Sequence, residues 1–462
     1  MRKYIWLLVL FLSVSFAYAQ DRVSLSGYLK NETSVRIEGL NNDLTKEKNI
    51  LELAGEYKIR DDLIFFAKAK YWYDAMYDFR DEYDAGQWYQ GHIQRADWLR
   101  DCYLDYISGP WFLRLGKQQI AWGQADGITI LDRVNPVDLT EFWLQDFVDL
   151  RIPLWMANIN YSPKLNSNLQ LLFIPDFEAS TAAYPKAPFA FYSVELFENW
   201  RMAQINMGSR VDVNIYYPPK QFQNSTWGLQ WSDRMGDLNY TLNFLYGYYS
   251  SPRNTTLLLS GTGGPGSSWK INRAFKLWRI YGGSFNKTFT NPGPMQGITL
   301  RGDFAYYNDE PTYFGDPVGA SVKGINRWDN IFWLIGVDKY IVTNLLASFQ
   351  FAQYILQDAK SGWKVPQQRY PMDPYTYGPM DQVQNIFTLK VSTDFMNERL
   401  KPEVLWSATD DNQGRLSPKV TYEIKDNLWL TLGIHYFYGN QWDSNGQFRD
   451  QSQFYTHLKY TF

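Results

Sequence analysis

Apart from its carboxylates, the chain offers few side chains for nucleophilic or metal chemistry: His92, His435, His457 and the single Cys102. Hydrolysis at a nucleophile, or at an activated water, needs a base or paired acids within reach. His435 and His457 are the pair worth weighing, because each stands on the polar side of an alternating segment close to the C-terminus. Two such imidazoles are weak candidates for holding a metal ion or for changing charge near roughly pH 6. No carboxylate at a recognisable spacing joins them, and His92, between Gln87 and Gln94, reads as exposed. His-Glu-x-x-His, Gly-x-Ser-x-Gly and phosphate-loop patterns are all missing, as is the Cys-x-x-Cys-His of haem attachment. The expectation is a protein that is not an enzyme, with no cofactor and no metal.

The elements that carry these residues are harder to place from composition alone. Of 462 residues, 45% are hydrophobic and 18% aromatic, yet the mean hydropathy is −0.40. So apolar a chain is not disordered. Past the N-terminus no apolar run approaches the roughly 20 residues of a spanning helix, and Ile331 to Val337 is far too short. One cysteine makes no disulfide scaffold, and a formal charge of −3 gives no sign of nucleic acid. A soluble β-protein, or a membrane protein whose apolar residues are spread by alternation, remains.

The two ends choose between them. Arg2 and Lys3 precede an apolar stretch from Tyr4 to Phe16 and then Ala17-Tyr18-Ala19, which reads as a signal peptide over 1–19, cut after Ala19. At the other end Phe454, Thr456, Leu458, Tyr460 and Phe462 share one face of a strand, with His457, Lys459 and Thr461 opposite. A last strand ending on Phe462 resembles the closing strand of bacterial outer-membrane barrels. That resemblance implies recognition of Phe462 by the barrel-insertion machinery.

Between the ends, alternating runs of roughly ten residues are joined in turn by short and long connections, as a transmembrane barrel requires. The short turns include Asp61-Asp62, Asn166-Ser167-Asn168, Gly236-Asp237, Thr343-Asn344, Asn397-Glu398-Arg399 and Asp426-Asn427. The long stretches fall at about 79–97, 124–152, 178–223, 253–275, 310–326, 357–383 and 440–451. The expected fold is all-β: a transmembrane antiparallel β-barrel of about 18 strands, or about 16, with short periplasmic turns and long extracellular loops. Residues 20–462 form a single barrel domain. Alternation sends Leu428, Leu430, Leu432, Ile434, Tyr436 and Tyr438 outward, and likewise Leu242, Phe244 and Phe304. Arg301, Asp303, Arg114, Gln118 and charged residues such as Lys30, Glu32, Lys68, Lys70, Lys390 and Glu403 face inward, bases slightly ahead of acids. Unpaired charges in a dry core cost several kcal/mol each, so such a lining implies water.

The run from Arg114 through Gly-Lys-Gln to Trp-Gly and on to Asn-Pro-x-Asp resembles a family of porin-like outer-membrane barrels of proteobacteria, catalogued mainly as a domain of unknown function. The matching positions are Gly116, Lys117, Gln118, Trp122, Gly123, Asn135, Pro136 and Asp138. The resemblance implies outer-membrane location and porin architecture without naming a solute. Residues 124–152 hold Asp126, Asp132, Asp138, Glu141, Asp146 and Asp149 against Arg133 and Arg151, and 139–150 reads as a short helix capped by Asp138 or Thr140. In porins one such loop folds inward. The expectation is a constriction at which Asp132, Arg133, Asp138 and Glu141 meet Arg114, Lys117, Gln118, Arg301 and Asp303 of the wall.

The function this supports is an outer-membrane porin, a water-filled channel for passive diffusion of small hydrophilic solutes, with some tolerance for anions. The alternative is the barrel component of a larger assembly: a sheath for a periplasmic cytochrome conduit, or the outer-membrane partner of an exporter of lipid or hydrophobic compounds. A barrel enzyme is the weakest reading. Expected partners are outer-membrane lipid and lipopolysaccharide, the insertion machinery, small solutes, and a homo-oligomer or periplasmic partner; nucleic acid is not among them.

Overall fold

The computed structural model describes residues 22–37, 43–80, 94–219, 221–261, 264–312, 322–323, 326–357, 382–441 and 443–462. Within them an 18-stranded antiparallel sheet closes on itself. The first strands are β1 (Val23–Arg36), β2 (Leu44–Arg60), β3 (Leu63–Asp74), β4 (Gln94–Ser108), β5 (Trp111–Gln118) and β6 (Leu154–Lys164). Then come β7 (Ser167–Ile174), β8 (Thr226–Met235), β9 (Leu238–Tyr248), β10 (Leu277–Thr288), β11 (Ile298–Thr312) and β12 (Asn326–Val342). The last six are β13 (Leu345–Leu356), β14 (Val383–Ser392), β15 (Leu400–Thr409), β16 (Gly414–Lys425), β17 (Leu428–Tyr438) and β18 (Gln453–Thr461).

Hydrocarbon offers a backbone no hydrogen-bond partner, so a spanning sheet is stable only when no edge is left. Here β1 runs antiparallel to β18 from Tyr28↔Thr461 to Arg36↔Gln453. The seam ends where Gly27 and Phe462 exchange backbone bonds of 2.9 and 3.0 Å. A Cβ on Gly27 would overlap the Glu52 carbonyl and touch the Phe462 ring, so the seam needs glycine there. The short turns are tight: Asn427 sits at φ 68° between β16 and β17, a conformation that asparagine tolerates.

Alternation along the strands divides the residues as a membrane barrel should. In β9, Leu242 is 59% exposed on the outer face and its neighbour Asn243 is 7% exposed inside. On β11, Phe304 faces out while Arg301 and Asp303 are buried inside. No helix among the described residues is long and apolar enough to cross a membrane.

Two of the stretches read as loops carry structure of their own. The helix Tyr192–Asn206 lies within 178–223, and Arg253–Ser260 and Ser268–Ala274 are strands within 253–275. With Arg210–Tyr216 and Val322–Lys323 these strands make a separate four-stranded sheet, packed around Phe197, Trp269 and Ile271. Alternation in so short a hairpin is weak beside the Gly261–Gly266 turn chemistry, which dominates the sequence there. The expected helix over 139–150 is corrected to a single turn, Phe147–Leu150. Asp138–Leu139 instead pairs in parallel with Thr181–Ala182, and Phe142 at φ 53° stops any helix before it forms. His92 lies outside the described residues.

Leu242→Arg places a cation on the lipid face near the middle of β9 and is expected to cost about 2–4 kcal/mol. Unfolding by guanidinium, followed by heat-modifiable gel mobility, reads this directly; an unchanged midpoint would mean that the face is not lipid-covered.

Candidate functional site

Residues 119–153, between β5 and β6, enter the barrel and cross it. The crossing is set at its neck by Asn135, which is 5% exposed. Its Oδ1 accepts the Ile120 N–H at 2.8 Å, while its Nδ2 donates to the Ile152 carbonyl at 2.9 Å and the Gln118 carbonyl at 3.4 Å. A carboxamide carries a donor and an acceptor side by side, so one side chain clips the outgoing and returning backbone together. Pro136 follows with its fixed φ, and its carbonyl accepts the Ile152 N–H at 2.8 Å. Gln118, buried at the end of β5, donates to the Met156 carbonyl at 3.3 Å and accepts from Asn158 at 3.3 Å. It locks β5 to β6 and does not line a water path.

An inner arm, residues 120–134, then runs to the far wall. The Trp122 indole N–H donates to Gln170 at 2.8 Å. Gly123 adopts φ +95°, and a Cβ there would lie 2.6 Å from Asp303 Oδ2. Only glycine satisfies both demands. The Asp303 carboxylate accepts the Gln124 N–H at 2.8 Å and the Ala125 N–H at 3.0 Å. Arg301 donates to the Gln124 carbonyl and is held by Asp338 at 2.8 Å. Gln350 exchanges bonds with the Asp126 backbone at 2.9 and 2.7 Å. Ile120, Trp122, Ile130, Leu131 and Val134 pack against an apolar inner wall that includes Leu172, Leu245, Ile280, Tyr307 and Leu334. The inner arm thereby covers the inner wall from β6 to β13.

The outer arm, residues 137–151, turns back to the charged wall of β1–β4. Asp132 and Arg151 tie the arms together at 2.6 Å, and burial pushes the Asp132 carboxyl up despite this partner. Glu141 reaches Lys46 and, at 2.7 Å, Lys48 of β2. Burial alone would raise the Glu141 carboxyl, but the two ammonium groups outweigh it and hold it down at about 2. Asp149 pairs with Lys70 of β3. In β4 the register shifts so that Trp98, Leu99 and Arg100 stand opposite Ala69. The bulge turns Arg100 inward, where it donates to the carbonyls of Val148, Asp149 and Arg151 at 2.7, 3.1 and 3.2 Å. Above this arm Phe142, Phe189, Phe191, Phe437 and Phe448 close into one aromatic cluster.

Not all of the expected constellation meets. Arg114 forks onto Asp105 at 2.7 and 2.8 Å and lies 3.8 Å from the Tyr103 ring, away from the loop acids. Lys117 is directly opposite Trp155, which is exposed on the outer face, so its strand position looks toward lipid. Gly116 between them adopts φ +139° against the Cys102 carbonyl. Asp138 accepts the Thr140 N–H at 3.0 Å and shapes the turn. Arg133 lies 5.9 Å from the Tyr307 ring. The Tyr455 ring stands between His435 and His457, and no group of three or more metal-ligating side chains occurs among the described residues. Lys46, Lys48, Arg100 and Gln350 were not singled out in the sequence. Lys46 and Lys48, spaced by two in a strand, were the available signal; the bulge that redirects Arg100 left none.

Asn135→Ala leaves the Ile120 N–H unpaired in a buried site and is expected to cost about 1–3 kcal/mol. A lower melting temperature with new protease cleavage inside 119–153 checks it. Glu141 gives a pH signature. Its folded value lies below the ordinary 4.5, so its contribution is complete above pH 4.5 and lost as pH falls toward about 2. Hydrogen exchange of 137–150, corrected for intrinsic rates, is expected to rise over that window in the native chain, and Glu141→Gln to reduce the dependence, leaving the part that the Asp149–Lys70 pair supplies.

The comparisons with known proteins agree with this architecture. OccAB4 of Acinetobacter baumannii superposes with a TM-score of 0.51 at 12% identity, covering 96% of this chain and 98% of its own. OccAB1 of the same organism gives 0.52 at 10%, covering 96% and 95%. Pseudomonas aeruginosa OpdK, solved with vanillate, gives 0.51 at 9%, covering 96% and 100%. At such identities the likeness is one of fold. No curated protein matches the sequence. A family model described as "Protein of unknown function (DUF1302)" matches residues 44–462. The chain therefore belongs to the DUF1302 family.

Proposed function

We propose that this protein is an outer-membrane porin, a channel for passive diffusion of small hydrophilic solutes, in which 119–153 narrows the path. The observation that carries the reading is the division of the lumen. The inner arm fills the side bounded by β6–β13 with apolar packing. The side bounded by β14–β18 and β1–β4 keeps ionic side chains, including Lys390 with Glu403 at 3.5 Å, Lys419 with Glu403 at 3.0 Å and Lys68 with Glu52 at 3.7 Å. A wall of charges of both signs suits water and polar solutes, and the loop sets the width. The vanillate bound to OpdK supports a small organic solute for a barrel of this fold. Residues 1–19 act as the export signal and Phe462 as the insertion signal in this reading, and the barrel performs no catalysis.

One feature favours the second reading, a barrel opened by a partner: the phenylalanine cluster lies over the outer arm. Planar-bilayer recording separates the two. Purified protein is expected to open stable ion-conducting channels. Asp303→Ala, which removes the carboxylate anchor of the inner arm, is expected to change single-channel conductance by about twofold with added flicker. Silent insertion of folded protein would refute the porin and leave the partner-dependent barrel.

A further inference from the structure

Next to the phenylalanine cluster, the inner wall of β16–β18 carries Arg415, His435, Tyr455 and His457, none of which forms an ion pair with an acid of the crossing loop. Arg415 of β16 donates from Nη1 to the Trp143 carbonyl at 2.8 Å. Its Nε is shut off from solvent without a partner. Among the described residues no carboxylate oxygen comes within 4.0 Å of its guanidinium. The neighbouring bases are neutralised: Lys46 by Glu32 at 3.2 Å and by Glu141, Lys419 by Glu403 at 3.0 Å. Arg415 keeps a charge with no carboxylate partner among the described residues, and a charge held out of bulk water is costly without a counter-charge.

Beside it the rings of His435, Tyr455 and His457 form a column. His435 and Tyr455 stack with centroids 4.4 Å apart at 15°, and His457 follows at 4.8 Å. Gly433 makes room for this, since any Cβ there would overlap the hydroxyl end of Tyr455. Ser417 occupies Nδ1 of His435 at 3.0 Å, which leaves Nε2 and the Tyr455 hydroxyl for a ligand.

We propose that Arg415 and the edge of the His435–Tyr455–His457 column form an oxyanion station on the inner wall, taking the carboxylate or phosphate group of a solute. A guanidinium already oriented by a backbone carbonyl presents its remaining donors as a fork, the geometry that planar and tetrahedral oxyanions accept. The inference rests on reading this side of the lumen as a solute path, but binding can be measured without conduction.

Isothermal titration of the full-length, detergent-solubilised barrel with benzoate and, separately, inorganic phosphate is the test. Wild type is expected to bind at least one probe. Arg415→Gln is expected to weaken that binding at least tenfold, Arg415→Lys to retain part of it, and Lys401→Gln, near the periplasmic end of β15, to leave it unchanged. Benzoate alone binding identifies a carboxylate solute, and phosphate alone a phosphorylated one. No binding of either probe by wild type, or equal binding by Arg415→Gln, overturns the station. Should Arg415→Gln fail to fold, Tyr455→Phe is expected to weaken binding about threefold, and unchanged binding there counts against the proposal. A barrel that conducts without binding loses the station and stays a porin; one that binds without conducting does the reverse.

Discussion

Backbone pairing in a solvent that cannot hydrogen-bond governs this molecule from the outside in. With no edge permitted, β1 must find β18, and the Gly27–Phe462 exchange completes the ring. Eighteen strands close a cylinder too wide for wall side chains alone to fill. What occupies the lumen then becomes a choice of the sequence, and here 119–153 takes one side of it. The clip at Asn135 lets a long excursion leave and rejoin adjacent strands without opening them.

The two arms of that excursion are held by different physics. The inner arm rests on apolar burial and on backbone N–H groups bonded to buried Asp303, which ionic screening weakens little. The outer arm rests on ion pairs, Glu141 with Lys46 and Lys48, and Asp149 with Lys70. Two of its aromatic anchors, Phe142 and Phe189, adopt left-handed φ values of 53° and 63°, so local strain opposes its packing. If the loop has a moving part, these forces put it on the outer side.

Much of the barrel was legible in the sequence because its signals are local. Turn residues such as Asp426-Asn427 and outward runs such as Leu428 to Tyr438 need only their immediate neighbours to be read. The motif positions Gly123 and Asn135 were legible as a pattern, yet their reasons are not local: one is Asp303, the other the backbone at Ile120 and Ile152. Lys117 misled for a related reason. A lysine in a strand suggests the water side, but parity counted from Arg114 sends it outward beside Trp155. His435 and His457 could be read only as polar-side residues of segments near the C-terminus; the register sets them four positions apart on paired strands, with Tyr455 between them.

The contact between Gly123 and Asp303 joins positions far apart in the chain. It makes the loop and strand β11 a single inherited unit. A graft of 119–153 onto another barrel would arrive without its carboxylate socket unless Arg301, Asp303 and Gln350 travelled with it. The crossing segment is therefore bound to its own far wall, and its placement across the lumen is bound with it.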